Sequence, residues 1–226
     1  MSITKNRISP HALLSLDLLR HGETGQTGFR GRLDDPLTPH GWANMLKRVQ
    51  KEVRLIEQRR LNDPRRARRA KRSAQNGPPL VAPWNALISS PKRRCADFAR
   101  ALAGQWALPL IIDARFAELD FGDWEGRTAE EIMRSEASRL ADFWNDPWVC
   151  SPPGGETMDS FEHRIRAASH DLTQTYAGQR VLLVTHGGVI RLLLCLSRGL
   201  ARRELLNLAV PHASMHRLNN VGKLSL

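Results

Sequence analysis

The chain has little cysteine and spaces it widely: Cys95, Cys150 and Cys195 are the only three, and no two form a CxxC pair. That excludes a disulfide framework and offers no zinc-site spacing, so the expected chemistry runs without a thiolate, a metal or another cofactor. Cys95 is a partial exception, because Arg94 precedes it and a nearby guanidinium lowers a thiol's pKa; core filler is the plainer reading of all three. Long apolar runs are also missing. No stretch approaches the roughly 20 residues of a membrane span, and residues 1–10, polar with Lys5 and Arg7, lack the pattern of a secretory leader. A soluble, cytoplasmic protein with no membrane partner is expected. There is no internal repeat, and 226 residues at 41% apolar and 25% charged suffice for one sizeable core. The expected organisation is a single domain, 1–226.

Acidic residues are in deficit, 23 against 34 Lys and Arg, for a net charge of +11. The deficit is local. Residues 59–72 hold eight basic side chains and one acid, Asp63, which places +7 in that stretch and +4 in the remainder. Such a run suits nucleic-acid phosphates, yet no aromatic residue interleaves it for base stacking, and residues 73–83 continue it as a Gly/Pro-rich linker. The favoured reading is a basic, flexible insertion at about 59–83 rather than a nucleic-acid site. A non-catalytic polyanion-binding module is the alternative from another class.

What is present starts with Leu13, Leu14, Leu16, Leu18 and Leu19, an apolar run that breaks into Arg20-His21-Gly22-Glu23-Thr24. This predicts a buried strand feeding an active-site loop at the carboxyl end of an α/β sheet. A guanidinium beside an imidazole, then a Gly that lets backbone approach closely, suits a tetrahedral oxyanion. Alone, the tripeptide reads as a surface loop. A second apolar run, Val181 to Val184, ends in Thr185-His186-Gly187-Gly188 before an apolar helix, and two strands ending in His-Gly make a constellation. Between them, loop 25–37 brings Arg30 and Arg32 near His21 or leaves them to solvent. Thr38 and Pro39 open a helix over 39–60. A strand at 85–88 leads through Ser90-Pro91 to Arg93 and Arg94, and another at 108–112 leads to Glu118. Glu125 braces the following turn, with Asp120 and Asp123 at the surface. Thr128 and Glu131 form a capping box for a helix over 128–144. After the rigid loop 151–157, a helix presents Phe161, Ile165 and Leu172. A strand at 180–185, helices at 188–196 and 201–206, and a terminal hairpin of 213–218 with 222–226 complete the reading.

With Arg20-His21-Gly22, His186-Gly187 and Phe121-Gly122-Asp123-Trp124-Glu125-Gly126, the chain resembles the histidine phosphatase (phosphoglycerate mutase-like) superfamily. The resemblance implies an α/β fold of three α/β/α layers around a mostly parallel sheet. It implies catalysis by His21, as a nucleophile that becomes phosphohistidine, and by Glu118 as proton donor, without a metal. Arg20, Arg94 and His186 would hold the phosphate, with Gly22, Thr27 and Gly187 beside it. Arg94 is selected by its spacing from Ser90, with Arg93 the competitor; Thr27 stands where the family often has Asn. Within the family, residues 28–35, Gly41-Trp42-Ala43, 121–126 and 144–156 are most similar to the alpha-ribazole phosphatases of cobalamin biosynthesis. The implied partner is a small phosphorylated substrate, on whose flat base Trp144 and Trp148 would stack, core packing being the commoner fate of a Trp. A broad-specificity phosphatase is the alternative, then a phosphoglycerate mutase, whose usual Trp-Asn after the first motif is absent.

Overall fold

The computed structural model describes residues 13–62 and 82–218. Most of the basic insertion expected at 59–83 therefore lies outside the described residues, as do the second strand of the expected terminal hairpin and residues 1–12. The strands are β1 (Ser15–Arg20), β2 (Ala86–Ser89), β3 (Leu110–Ile112), β4 (Arg180–Thr185) and β5 (Met215–Leu218). The helices are α1 (Pro39–Leu61), α2 (Arg93–Trp106), α3 (Ala129–Asn145), α4 (Met158–Thr175) and α5 (Gly187–Arg198). Residues 201–206 hold only a 3₁₀ turn, Arg202–Glu204, in place of the expected short helix.

The strands form one sheet in the order β3-β2-β4-β1-β5, parallel except for β5, which runs antiparallel to β1 along the edge. Residues 215–218 thus pair with the first strand. Alternation along each strand divides the core. Leu16, Leu18, Ala86, Ile88, Val181 and Leu183 face α4 and α5, whereas Leu19, Leu87, Leu182 and Val184 face α1 and α2. The expected three-layer α/β/α architecture with a mostly parallel sheet is what forms. No helix among the described residues is long and apolar enough to cross a membrane.

Helix starts follow the local chemistry. Thr38 Oγ1 accepts the Gly41 amide at 2.9 Å with Pro39 in the first turn. The Thr128–Glu131 box is complete, with Thr128 N donating to Glu131 Oε2 at 2.7 Å and Glu131 N to Thr128 Oγ1 at 3.2 Å. On β1, the fully buried Asp17 takes Arg180 and Arg217 in ion pairs at 2.5 and 2.7 Å and the Trp84 indole N–H at 2.6 Å. Glu52 of α1 joins both arginines. Of the stretch expected as an insertion, Arg59 belongs to α1 and Pro83 is buried, as is the neighbouring Trp84.

Because β2, β4 and β1 are parallel neighbours, their carboxyl ends converge. His21 N donates to Thr185 O at 2.9 Å and Ser90 N to Val184 O at 3.0 Å. Backbone hydrogen bonds thus hold three loops distant in sequence edge to edge.

Candidate active site

His21 follows β1 directly and is 8% exposed, at the wall of a cavity of about 450 Å³. Its Nδ1 lies 2.7 Å from the Gly22 carbonyl. A carbonyl only accepts, so Nδ1 carries the proton and Nε2 keeps its lone pair. Burial, then the nearby Arg94, pushes the imidazole pKa well below its ordinary value, so the ring is neutral at neutral pH. Gly22 itself is absent from the cavity wall. A side chain there would collide with the Gly41 carbonyl in the first turn of α1. Close packing of loop on helix demands the glycine here.

Four guanidinium groups share the wall, Arg30 with its carboxylate partner Asp35, and Arg20, Arg94 and Arg191. Arg20 donates Nη1 to Val210 O at 2.5 Å and Nη2 to His212 Nε2 at 3.0 Å, while its buried Nε has no partner. Arg94, 2% exposed in the first turn of α2, donates to Leu33 O at 2.6 Å, Arg30 O at 2.8 Å and His186 Nδ1 at 3.3 Å. Arg191 donates Nε to Leu208 O at 3.0 Å. Among the described residues, none of these three groups is paired with a carboxylate. Unpaired buried cations are unfavourable, and burial lowers the Arg20 pKa. Gly187 adds the N-terminus of α5 to the same wall, where free N–H groups and the helix dipole favour an anion. Arg93, by contrast, turns outward to Asp97 at 3.6 Å.

Glu118 faces this cavity and an adjoining one. Its Oε2 accepts the Gly188 amide at 3.0 Å and its Oε1 the Leu119 amide at 3.1 Å. Arg164 of α4 fixes the segment behind it, donating to Arg115 O, Ala117 O and Glu118 O at 2.6, 2.8 and 3.0 Å. Glu156, from the Pro-Pro-Gly-Gly-Glu loop, pairs with Arg164 at 2.7 Å.

His186, expected on the phosphate, is fully buried and absent from the wall. Its Nε2 meets Ser90 Oγ at 2.6 Å and its Nδ1 accepts from Arg94, so both ring nitrogens are committed. The ring stands edge-on to His21 with centroids 5.2 Å apart. Burial and the adjacent Arg94 push its pKa well down, leaving it neutral. In this structure it orients Arg94 and backs the His21 ring.

The remaining predicted residues divide. Thr27 and Arg30 line the cavity, Arg30 held by Asp35 through bonds of 2.5 and 2.6 Å. Arg32 is outside it, exposed and paired with Asp120 at 3.2 Å, because the Glu125 carboxylate binds the Gly31 and Arg32 amides at 2.8 Å and turns the loop there. Asp120 is half-buried in that pairing and also accepts the Gly122 amide at 2.8 Å, so it is not a plain surface residue. Trp144 borders the adjoining cavity. Trp148 does not: its indole N–H reaches Glu162 at 3.3 Å and Arg202 stacks on its ring at 4.8 Å. Cys95 is fully buried and its thiol pKa is raised, burial outweighing the opposite pull of Arg94. Two titratable wall residues escaped the sequence reading. Arg191 was legible as a lone charge in an apolar helix, four residues after Gly187 and on the same face. His212 carried no local signal. It reaches the site because Leu19 pairs with Met215, which sets the loop before β5 beside Arg20 and His21.

An Escherichia coli adenosylcobalamin/alpha-ribazole phosphatase is 27% identical over 186 residues, 80% of this chain and 77% of the relative. Among solved structures, a Bacillus stearothermophilus protein, YhfR, superposes with a TM-score of 0.71 at 24% identity, covering 90% of each chain. A mycobacterial glucosyl-3-phosphoglycerate phosphatase complexed with VO3 does so at 0.67 and 26% identity, over 90% of this chain and 91% of the other. The profile of the histidine phosphatase superfamily (branch 1) matches residues 63–223, a span that holds Arg94, Glu118 and His186 and starts after His21. On that match, the chain belongs to the histidine phosphatase superfamily.

Proposed function

We propose that this phosphatase-family chain is a metal-independent phosphomonoesterase working through a phosphohistidine on His21. The observation that carries the proposal is the neutral His21, Nε2 free, set among three guanidinium groups that no carboxylate neutralises. A phosphoryl dianion supplies the missing charge, and charge spread over its equatorial oxygens in the transition state meets donors already in place. His21 Nε2 forms a bond to phosphorus as the ester P–O bond breaks, and Glu118 gives its proton to the leaving oxygen. Water then attacks the phosphohistidine, Glu118 takes the water's proton, and the N–P bond breaks to release phosphate. Glu118, fastened to the Gly188 amide and facing both cavities, has the placement this needs.

The proposed substrate is alpha-ribazole 5′-phosphate, supported by the likeness to the E. coli phosphatase and by Trp144 at the mouth of the adjoining cavity. A broad-specificity phosphatase is the second reading, supported by likeness at similar identity to phosphatases named for different phosphoesters. A phosphoester panel in EDTA, including alpha-ribazole 5′-phosphate and 3-phosphoglycerate beside a His21→Ala control, tests both. Phosphate release lost in the control, with an acid-labile phosphoenzyme, is expected; release that survives His21→Ala overturns the mechanism. Isomerisation of 3-phosphoglycerate without release would make the chain a mutase.

A further inference from the structure

Glu125 lines neither cavity, yet its carboxylate joins the two segments that carry the chemistry. It directly follows the 3₁₀ turn Gly122–Trp124. Its Oε1 accepts the amides of Gly31 and Arg32 at 2.8 Å and of Phe121 at 3.1 Å, and its Oε2 accepts Leu33 N at 3.3 Å. Three consecutive amides, 31–33, that converge on one carboxylate form an anion nest. The carbonyls of the same arc serve a different partner. Leu33 O and Arg30 O are the acceptors of Arg94 Nη1 and Nη2, at 2.6 and 2.8 Å. Lys92 Nζ on Arg32 O at 2.5 Å and Arg93 N on Asp34 Oδ1 at 2.7 Å tie the arc to the start of α2. Toward Glu118 the fit is as close: a Cβ at Gly31 would collide with the carbonyl of Leu119, the next residue.

We propose that Glu125 is a positioning residue for the phosphoryl site. By holding the arc 30–33 it fixes the two carbonyls that aim the Arg94 guanidinium, and through the Phe121 amide it keeps the Glu118 segment in register with that arc. The proposal rests on the reading of Arg94 as a phosphoryl ligand and of Glu118 as the acid. The Arg94 guanidinium, in a side chain 2% exposed, is held by His186 and by these two carbonyls. A long side chain keeps its rotamer freedom unless its donors are anchored, and a guanidinium fork grips an oxyanion only from a fixed angle. Without the carboxylate, the amides of 31–33 turn to other acceptors, and the arc that carries the Arg94 anchors shifts with them. A displacement of about 1 Å at such a group lowers rates roughly 10²-fold. Glu125 thus acts on cation and acid together from outside both cavities.

Calorimetry with inorganic phosphate reads the Arg94 side without turnover. The kcat/KM values for p-nitrophenyl phosphate and ethyl phosphate add the acid, which only the ethyl ester needs. Thr128→Ala, which removes the cap of α3 outside both cavities, is the control for lost stability alone. Glu125→Ala, held below its melting temperature, is expected to raise the phosphate Kd about 10-fold or more and to lose more on ethyl phosphate than on p-nitrophenyl phosphate. Thr128→Ala is expected to melt earlier with its phosphate Kd unchanged. Glu125→Gln, which keeps one oxygen for the amides of Gly31, Arg32 and Phe121, is expected to recover most of the loss. A folded Glu125→Ala that binds phosphate within about threefold of the wild type overturns the inference, as does a glutamine no better than alanine; if the wild type still hydrolyses the esters, the phosphatase reading stands. A weakened Kd with no hydrolysis of either ester by the wild type leaves Glu125 assigned to Arg94 and overturns the reaction instead. Equal losses on the two esters overturn the link to Glu118. Should Glu125→Ala not fold, Glu125→Asp, whose carboxylate falls one methylene short of the nest, must weaken phosphate binding; unchanged affinity also overturns the inference.

Discussion

Replacing Gly188 with alanine separates proton donation from every other part of the proposed reaction. A Cβ at position 188 would collide with Glu118 Oε1 and sit 3.2 Å from its Cδ, against an ordinary contact of 3.4–4 Å. The neighbour is the far end of a flexible side chain, so the carboxylate retreats, by about 1 Å, while the backbone stays. A misplacement of about 1 Å in a reacting group lowers rates roughly 10²-fold, about 2.7 kcal/mol of barrier. Alanine in the first turn of α5 is meanwhile a better helix former than glycine by up to about 1 kcal/mol, so the melting temperature holds or rises. The assay is kcat for an alkyl phosphate, whose leaving oxygen must be protonated, beside p-nitrophenyl phosphate, whose leaving group departs as an anion. Gly188→Ala is expected to lose about 10²-fold on the first and only a few-fold on the second. Equal losses on both would refute Glu118 as the acid, and full activity on both would refute the steric argument.

Other predictions concern charge. Burial pushes the pKa values of His21, His186, His212 and His216 below the ordinary 6.5. The unfolded chain therefore takes up protons near pH 6.5 while the folded one does not, so this contribution is complete above that pH and is lost on acidification below it. The urea midpoint should be lower at pH 5.5 than at pH 7.5, and equal midpoints would contradict the burial of neutral rings. Because Arg20, Arg94 and Arg191 lack carboxylate partners, inorganic phosphate at about 100 times its Kd should stabilise the fold by about 2.7 kcal/mol; a melting temperature indifferent to phosphate would sink the uncompensated-charge argument. Finally, Arg20 Nη2 donates to His212 Nε2, so His212→Ala should lower kcat/KM about 10-fold and His212→Gln, which keeps an acceptor at similar reach, should restore most of it. If glutamine fares no better than alanine, the hydrogen bond is not what matters.

Much of the sheet was legible because its signal is local. Strands β1 and β4 are apolar runs that stop within one residue, at Arg20 and at His186, and Thr38 and Thr128 each accept a helix amide as their side-chain chemistry dictates. The directions in which side chains turn were not local. Arg32 leaves the site because Glu125, more than ninety residues on, captures the backbone beside it. The His186 ring is oriented by Ser90 and Arg94, and Gly22 packs on Gly41. His212 enters through the pairing of β5 with β1. Spacing identifies which residue types are near a strand end, whereas long-range partners decide which of them face the cavity.

The strand order bears on how the chain acquires its site. β1 and β2 are made early, yet they are never neighbours; β4, made nearly a hundred residues after β2, must insert between them. Until it does, β1 with Leu16 and Leu18 is a lone strand, its other partner β5 being made later still, and Ile88 sits on a two-stranded β2–β3 pair with a bare edge, the kind of edge that pairs with other chains. Contacts of such long range also make for slow folding. Recovery of phosphatase activity after dilution from denaturant should therefore follow the last step of sheet closure, and a nascent chain that has not yet emitted residue 185 carries His21 and Arg94 without a site to put them in.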